Sequence, residues 1–160
     1  MQLAQINIAR LRAPLDAPAT KEFNDFIAPI NQLAEESPGF VWRLTGNFGE
    51  SSAQVSHPFG DEMILVNMSV WESIEALREF SYKTVHSYFV RSRSKWFHRL
   101  EHPHLALWWV AEGHRPSLVE AKERLELIDA DGPTQHAFSL ATTFAPAVPA
   151  DREATIGREG

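Results

Sequence analysis

The sequence contains no cysteine, which excludes a disulfide scaffold, a thiol nucleophile and any zinc or iron–sulfur site held by thiolates. It also lacks an excess of positive charge, because 15 Lys and Arg stand against 21 Asp and Glu for a net charge of −6. That balance argues against a general nucleic-acid binder. No apolar run approaches the ~18 residues needed to cross a bilayer, and the start lacks the residue order of a signal peptide. We therefore expect a soluble, cytoplasmic protein.

The 160 residues suit a single domain, because domains of roughly 100–200 residues are typical. Hydrophobic periodicity predicts its elements: strands at residues 3–11, 40–45, 63–71 and 105–111, helices at 19–36 and from 72 to about 97, then a helix at 117–128 and a short strand at 137–144. Pro29 predicts a kink or break in the first helix near Ala28. The domain is expected to span residues 1–145, and 146–160 to form a disordered tail.

This order, βαββαβ followed by αβ, is the ferredoxin-like α+β pattern, in which an antiparallel sheet carries two helices on one face. The first strand alternates between its odd-numbered residues, from Leu3 to Leu11, and its even-numbered ones, yet both sets are largely apolar. Both faces of the sheet are therefore expected to be covered. A second copy is the favoured cover, which predicts a homodimer joined through the sheet faces. The alternative is that the C-terminal helix and strand cover the second face within the chain.

Two sets of sequence runs carry a resemblance to known families. The run VNMSVWESIEALREF, together with Pro38-Gly39-Phe40, resembles the dimeric α+β barrel superfamily, which includes antibiotic-biosynthesis-type and haem-degrading monooxygenases. The runs QINIARLRAP, SPGFVWRL, HSYFVRSRSKWF, LALWWV and GHRPSLVEAKERLELI resemble a bacterial family catalogued as domain of unknown function 3291. The resemblance supports the fold and a monooxygenase-like activity without a cofactor, but it names no reaction.

The residues that characterise the haem-degrading members of that superfamily can be compared with this sequence. They are described by an Asn on the first strand, a Trp on the second helix and a His further along as iron ligand. Asn7 matches the Asn, whereas Phe80 and Val90 stand at the other two positions and His86 lies one helical turn earlier. We therefore expect no cofactor, with haem held by His86 as the alternative.

A polar group on the second helix is the leading candidate for chemistry. Tyr82 and His86 lie four residues apart and share a helix face, so they could point towards Asn7 and Asn67 on the sheet. An imidazole, a phenol and two amides around one cavity could bind a polar group or act as a general acid–base pair. The alternative is that these side chains lie at the boundary of the core and bond to water or backbone.

Large rings and arginines supply candidate ligand contacts. Trp71 and Trp108 could wall a pocket for an apolar or aromatic ligand, although packing alone also explains them. Trp108 and Trp109 are neighbours on a strand and must point to opposite faces. Arg91 or Arg93 could clamp a substrate carboxylate, although a solvated helix face explains them too.

Three histidines close to a proline form the last candidate site. The spacing of His98 and His102 would suit a metal on a helix, but Pro103 ends the helix there. A solvated helix end that includes His104 is the favoured interpretation. The sequence thus predicts a small-molecule-binding protein, with a non-catalytic accessory dimer as the competing class.

Overall fold

A computed structural model describes residues 1–45, 56–85 and 88–147, with side chains left out at 84, 85 and 88–91. Its strands are β1 (Gln2–Leu11), β2 (Phe40–Arg43), β3 (Ile64–Trp71), β4 (Phe97–His98) and β5 (Leu105–Val110). Its helices are α1 (Lys21–Glu36), α2 (Ile74–Val85), α3 (Tyr88–Trp96) and α4 (Leu118–Asp131). Residues 148–160, which hold nearly all of the expected tail, lie outside the described residues.

The sheet is antiparallel and centred on β1. One edge of β1 pairs with β3, which in turn pairs with β2. The other edge pairs with β5 along residues 2–7 and with β4 at Arg10 and Leu11. The resulting order of β2, β3, β1 and β5, with α1 and α2 between strands, is the ferredoxin-like arrangement. The predicted fold class is confirmed.

Two local expectations differ from the structure. α1 does not break near Ala28, because it runs from Lys21 to Glu36 with Pro29 inside it, and the expected kink stays a prediction. Ala28 and Pro29 lie on the exposed side of the helix, where water can bond the Asp25 carbonyl that lacks an N–H partner. The expected last strand is reduced to two isolated bridges. Ala137 pairs with Thr134, and Leu107 and Phe138 exchange both backbone hydrogen bonds, at 2.8 and 2.9 Å. The chain then turns, with the Ser139 N–H bonded to the Thr142 carbonyl at 3.3 Å, so the ladder cannot continue.

The C-terminal helix α4 covers the second face of the sheet. Its buried stripe is Ala121, Leu125 and Ile128, and it packs in one cluster with the even-numbered side of β1 and with Trp108. Ser117 caps the helix, because its side chain accepts a hydrogen bond from the Glu120 N–H at 3.1 Å. The observed cover is thus the alternative one, and the chain buries this face without a second copy.

None of the helices in the described ranges combines the length and apolar character that a membrane span requires.

Two leucines on α4 test how much the fold depends on this cover. Leu125 is 6% exposed and Leu127 is 38% exposed. Leu125→Ala should lower the free energy of unfolding by about 2–4 kcal/mol, because it leaves a cavity under the helix. Leu127→Ala should change it by no more than ~0.5 kcal/mol. Urea denaturation of both variants measures the difference, and equal effects would contradict the packing of α4 on the sheet.

Candidate functional site

The face of the sheet turned towards α1, α2 and α3 is apolar at its two ends and polar in the middle. At the ends, Leu3 lies opposite Trp71, and Leu11 opposite Phe97. Between them, the cross-strand pairs are Gln5 with Ser69, Asn7 with Asn67 and Ala9 with Leu65. Opposite residues in an antiparallel pair share a face. Amide, hydroxyl and methyl groups therefore occupy the centre of a layer that is otherwise hydrophobic core.

Aromatic clusters fill the two ends of this layer. At the first end, Phe80 of α2 stacks on Trp71 with ring centres 5.1 Å apart, and Phe40 meets the same indole edge-on at 5.5 Å. At the other end, Phe23 of α1 lies edge-on to Phe97 at 4.8 Å and tilted against Trp96 at 5.8 Å. Such pairs contribute about 0.5–1.5 kcal/mol each beyond their buried area. The helices are therefore held at both ends of the sheet.

A cavity of about 960 Å³ lies between the clusters, bounded by the sheet and by α1, α2 and α3. This volume is at the upper end of the range typical of small-molecule sites. Rings and aliphatic side chains form much of its lining: Phe23, Ile27, Ile30, Phe40, Trp71, Leu77 and Phe80. Its polar floor is the centre of the sheet: Gln5, Asn7, Asn67 and Ser69. The site can hold an apolar body and can hydrogen-bond a polar group.

A hydrogen-bond network orients the floor. The Gln5 amide nitrogen donates to the Asn67 side-chain oxygen at 2.7 Å and to the Ser69 hydroxyl oxygen at 2.8 Å. The indole N–H of Trp71 donates to that same hydroxyl oxygen at 2.8 Å. Because Ser69 accepts twice, its own O–H is left to donate, as is the Asn67 amide N–H₂. The floor therefore offers donors, which suit a carbonyl, carboxylate or other oxygen-bearing ligand.

The ionisable side chains in the described lining are all basic. They are Arg12, Arg43, Arg93, Arg99, His98 and His104, and no Asp or Glu is among the described residues that line the cavity. Arg43 is bonded to Glu35, behind the wall, at 2.6 Å, while its Nη1 is buried with no hydrogen-bond partner in the described part of the chain. Arg12 donates from Nε to the Ser94 carbonyl at 3.0 Å. The cavity is thus positively charged within an acidic protein.

His104 lies on the wall where β5 begins. Its carbonyl accepts the Ile8 N–H at 2.9 Å, which places it beside the centre of β1. Removal from water lowers the pKa of the His104 imidazole below its ordinary value of 6.5, and the positive charge of Arg93 lowers that pKa further. At neutral pH the ring is therefore neutral and can accept a proton.

The structure brings together four of the residues predicted for the site. Asn7, Asn67, Trp71 and Arg93 all line the cavity. Trp108 does not, because it pairs with Ala4 and is buried on the α4 side of the sheet. Trp109, its neighbour, packs on the opposite side as expected.

Of the residues predicted on the second helix, Tyr82 does not join them. Tyr82 is 67% exposed and is not part of the lining, since two residues beyond Phe80 a helix has turned by about 200°. His86 lies outside the described residues, and so does the side chain of Arg91. The predicted roles of Tyr82, His86 and Arg91 stay predictions.

The three clustered histidines do not converge. His98 and His104 line the cavity, whereas the His102 ring turns outwards to Asp129 at 3.1 Å. The described ranges contain no group of three His, Asp or Glu side chains that could hold a metal ion.

Sequence reasoning missed Gln5, Ser69, Arg12 and Arg43 as lining residues. The signal was present for the first two, because both are polar positions within the alternation of a buried strand. The two arginines sit at strand ends, where exposure is the ordinary expectation.

Comparison with known proteins identifies the family. The model of the family described as domain of unknown function DUF3291 matches residues 2–154, so the chain belongs to that family. None of the curated proteins matches it.

Two solved structures have a similar shape. One is a candidate antibiotic biosynthesis monooxygenase from Chloroflexus aurantiacus J-10-fl, at 14% identity and a TM-score of 0.45, covering 72% of this chain and 98% of that one. The other is a NIPSNAP family protein from Agrobacterium tumefaciens str. C58, at 14% identity and a TM-score of 0.39, covering 71% of this chain and 96% of that one. These likenesses carry no argument about function.

The lowered pKa of His104 predicts how stability depends on pH. Below pH 6.5, the ordinary pKa of histidine, His104 is protonated in the unfolded state but binds a proton in the folded state only at lower pH. The free energy of unfolding therefore falls as the pH falls. His104→Asn should make the decline in Tm between about pH 7 and pH 5 less steep. Thermal unfolding followed by circular dichroism measures this slope.

His136→Asn, at an exposed position on the other side of the sheet, is the control and should leave the slope unchanged. A slope unaltered by His104→Asn would contradict the assignment.

Proposed function

We propose that this protein binds a small organic molecule with an apolar or aromatic body in the cavity between the sheet and helices α1–α3. The observation that carries the proposal is the combination of aromatic walls with a polar centre on the same sheet face. A core built only for stability would fill this space with apolar side chains, because buried amides and hydroxyls contribute less than packed hydrocarbon. Instead, Gln5 and Ser69 are buried in the floor, and the exposed amides of Asn7 and Asn67 line the cavity beside them.

The protein could bind this molecule without changing it, or it could bind the molecule and convert it as an enzyme. The monooxygenase-like activity implied by the superfamily resemblance needs a group that moves a proton. His104 is the lining residue best suited to this, because a neutral imidazole can act as a general base. Asn67 and Trp71 keep their predicted ligand-binding roles, and Asn7 keeps its predicted role among the polar groups of the catalytic site. If the protein is a non-catalytic binder, substitution of His104 by Asn changes affinity only.

The homodimer through the sheet faces is a separate prediction. Two copies joined at this face would have to displace α4 or pack on its outer surface, because α4 already buries the second side of the sheet. Sedimentation equilibrium at micromolar concentrations tests it. A mass of two chains supports the dimer, and a mass of one chain at every concentration contradicts it.

Blocking the cavity tests the proposed function directly. The probe is N-phenyl-1-naphthylamine, a neutral aromatic amine whose fluorescence rises in an apolar site. Asn7→Trp should weaken its binding at least about tenfold, or ~1.4 kcal/mol, because the indole occupies the space above the floor. Asn31→Trp enters the cavity from α1 and should act in the same direction.

Asn24→Trp is the matched control, because Asn24 is exposed on α1 and is not part of the lining. It should bind the probe as the parent protein does. Circular dichroism checks that each variant is folded. If either cavity variant is folded and binds with unchanged affinity, this cavity is not the binding site.

A further inference from the structure

We infer that the natural ligand carries an anionic group, and that this group binds at one end of the cavity between Arg93, Arg99, His98 and His104. These four residues are called the basic wall. The inference rests on the proposed function and names the chemical class of ligand: an organic anion, with a carboxylate, sulfonate or phosphate attached to an apolar body.

Charge is distributed unevenly between the cavity lining and the rest of the chain. Acidic residues outnumber Lys and Arg by 21 to 15 in the whole chain, yet the described lining has four arginines, two histidines and no carboxylate. A random sample of the surface would contain more acidic than basic groups. A cleft lined by one sign of charge concentrates the opposite charge from solution. The cavity therefore attracts anions, although the protein as a whole repels them.

Two of these arginines lack an ion-pair partner among the residues that the structure describes. Arg10 pairs with Asp61 at 3.0 Å and Arg43 with Glu35 at 2.6 Å. Neither Arg93 nor Arg99 forms an ion pair with any residue that the structure describes. Their guanidinium groups therefore remain available to bind an oxyanion through two parallel hydrogen bonds.

The basic wall lies at a gap in the pairing along one edge of β1. The outer edge of β1 is interrupted, because β5 pairs with it up to Asn7 and β4 pairs with it only from Arg10. Residues 99–104 connect β4 to β5 and lie against this gap, where the His104 carbonyl bonds the Ile8 N–H at 2.9 Å. Three residues of the basic wall thus come from the β4–β5 connection and its ends, and Arg93 comes from α3. Two separate elements direct positive charge to the same end of the cavity.

A matched pair of probes tests the inference. 8-Anilinonaphthalene-1-sulfonate has the ring system of N-phenyl-1-naphthylamine and differs by one sulfonate group. The parent protein should bind the sulfonate at least about tenfold more tightly than the neutral amine, because a charge-assisted pair forms only with the sulfonate. The double variant Arg93→Gln/Arg99→Gln should remove that preference and leave the affinity for the neutral amine unchanged. Fluorescence titration measures both dissociation constants.

Lys122→Gln is the control for net charge, because Lys122 lies on α4 and is not part of the lining. It should preserve the preference for the sulfonate. Displacement of the sulfonate probe by 1-naphthoate, 1-naphthalenesulfonate and 1-naphthyl phosphate then shows which anionic group the basic wall prefers.

The outcomes separate this inference from the proposed function. Equal affinity for both probes, or equal weakening of both by the double variant, overturns the inference while leaving a binding cavity. If neither probe binds the folded parent protein, the proposed function fails and the inference fails with it. Loss of the preference for the sulfonate in Lys122→Gln would show a general effect of net charge. It would also overturn the inference that the basic wall binds the anionic group.

Discussion

The antiparallel register between β1 and β3 is the constraint on which the rest of the structure depends. It places Gln5 opposite Ser69 and Asn7 opposite Asn67, so that four polar side chains meet on one face. The same register sends the apolar even-numbered residues of β1 to the other face, under α4. Side chains alternate with a period of two, so a slip of one residue would exchange the faces and bury the amides under α4. Each face of the sheet can therefore serve one purpose: the α4 side holds the fold together, and the helix side contains the cavity.

A cavity above a polar floor lowers stability, and the fold compensates around it. The aromatic cluster of Phe40, Trp71 and Phe80 closes one end of the helix layer, and that of Phe23, Trp96 and Phe97 closes the other. Between them, Gln5 satisfies Asn67 and Ser69 in a network that also orients the Trp71 indole. Gln5 and Ser69 are buried and hydrogen-bonded to each other, which restricts the arrangement of both side chains. Together these contacts fix the two ends of the helix layer and the polar floor between them.

Much of the fold was predictable from the sequence because alternation and helical stripes are local signals, and the central strands and α4 were found by them. The site was harder to predict because it depends on which strand residues lie opposite each other. Trp71 and Trp108 looked like two walls of one pocket, yet Trp71 pairs with Leu3 and Trp108 with Ala4, which puts them on opposite faces. Tyr82 shared a predicted face with His86, but Phe80 and Leu77 set which side of α2 meets the sheet. His104 follows Pro103 in an irregular segment, where no periodicity indicates the direction of a side chain.

The basic lining also explains how an acidic protein could select its ligand by charge. Arg43 is held against Glu35, so it contributes a hydrogen-bond donor more than a net charge to the wall beside Ser69. Arg93 and Arg99 have no such neutralising neighbour in the described chain, so the net positive potential is concentrated at the β4–β5 end. An acidic exterior repels anions at long range, and salt screens this repulsion beyond about 8–10 Å. At the cavity the arginines lie close to a bound anion, so their attraction for it outweighs the distant negative charges. Selection by charge therefore depends on the local placement of cations around β1 rather than on the net charge of the chain.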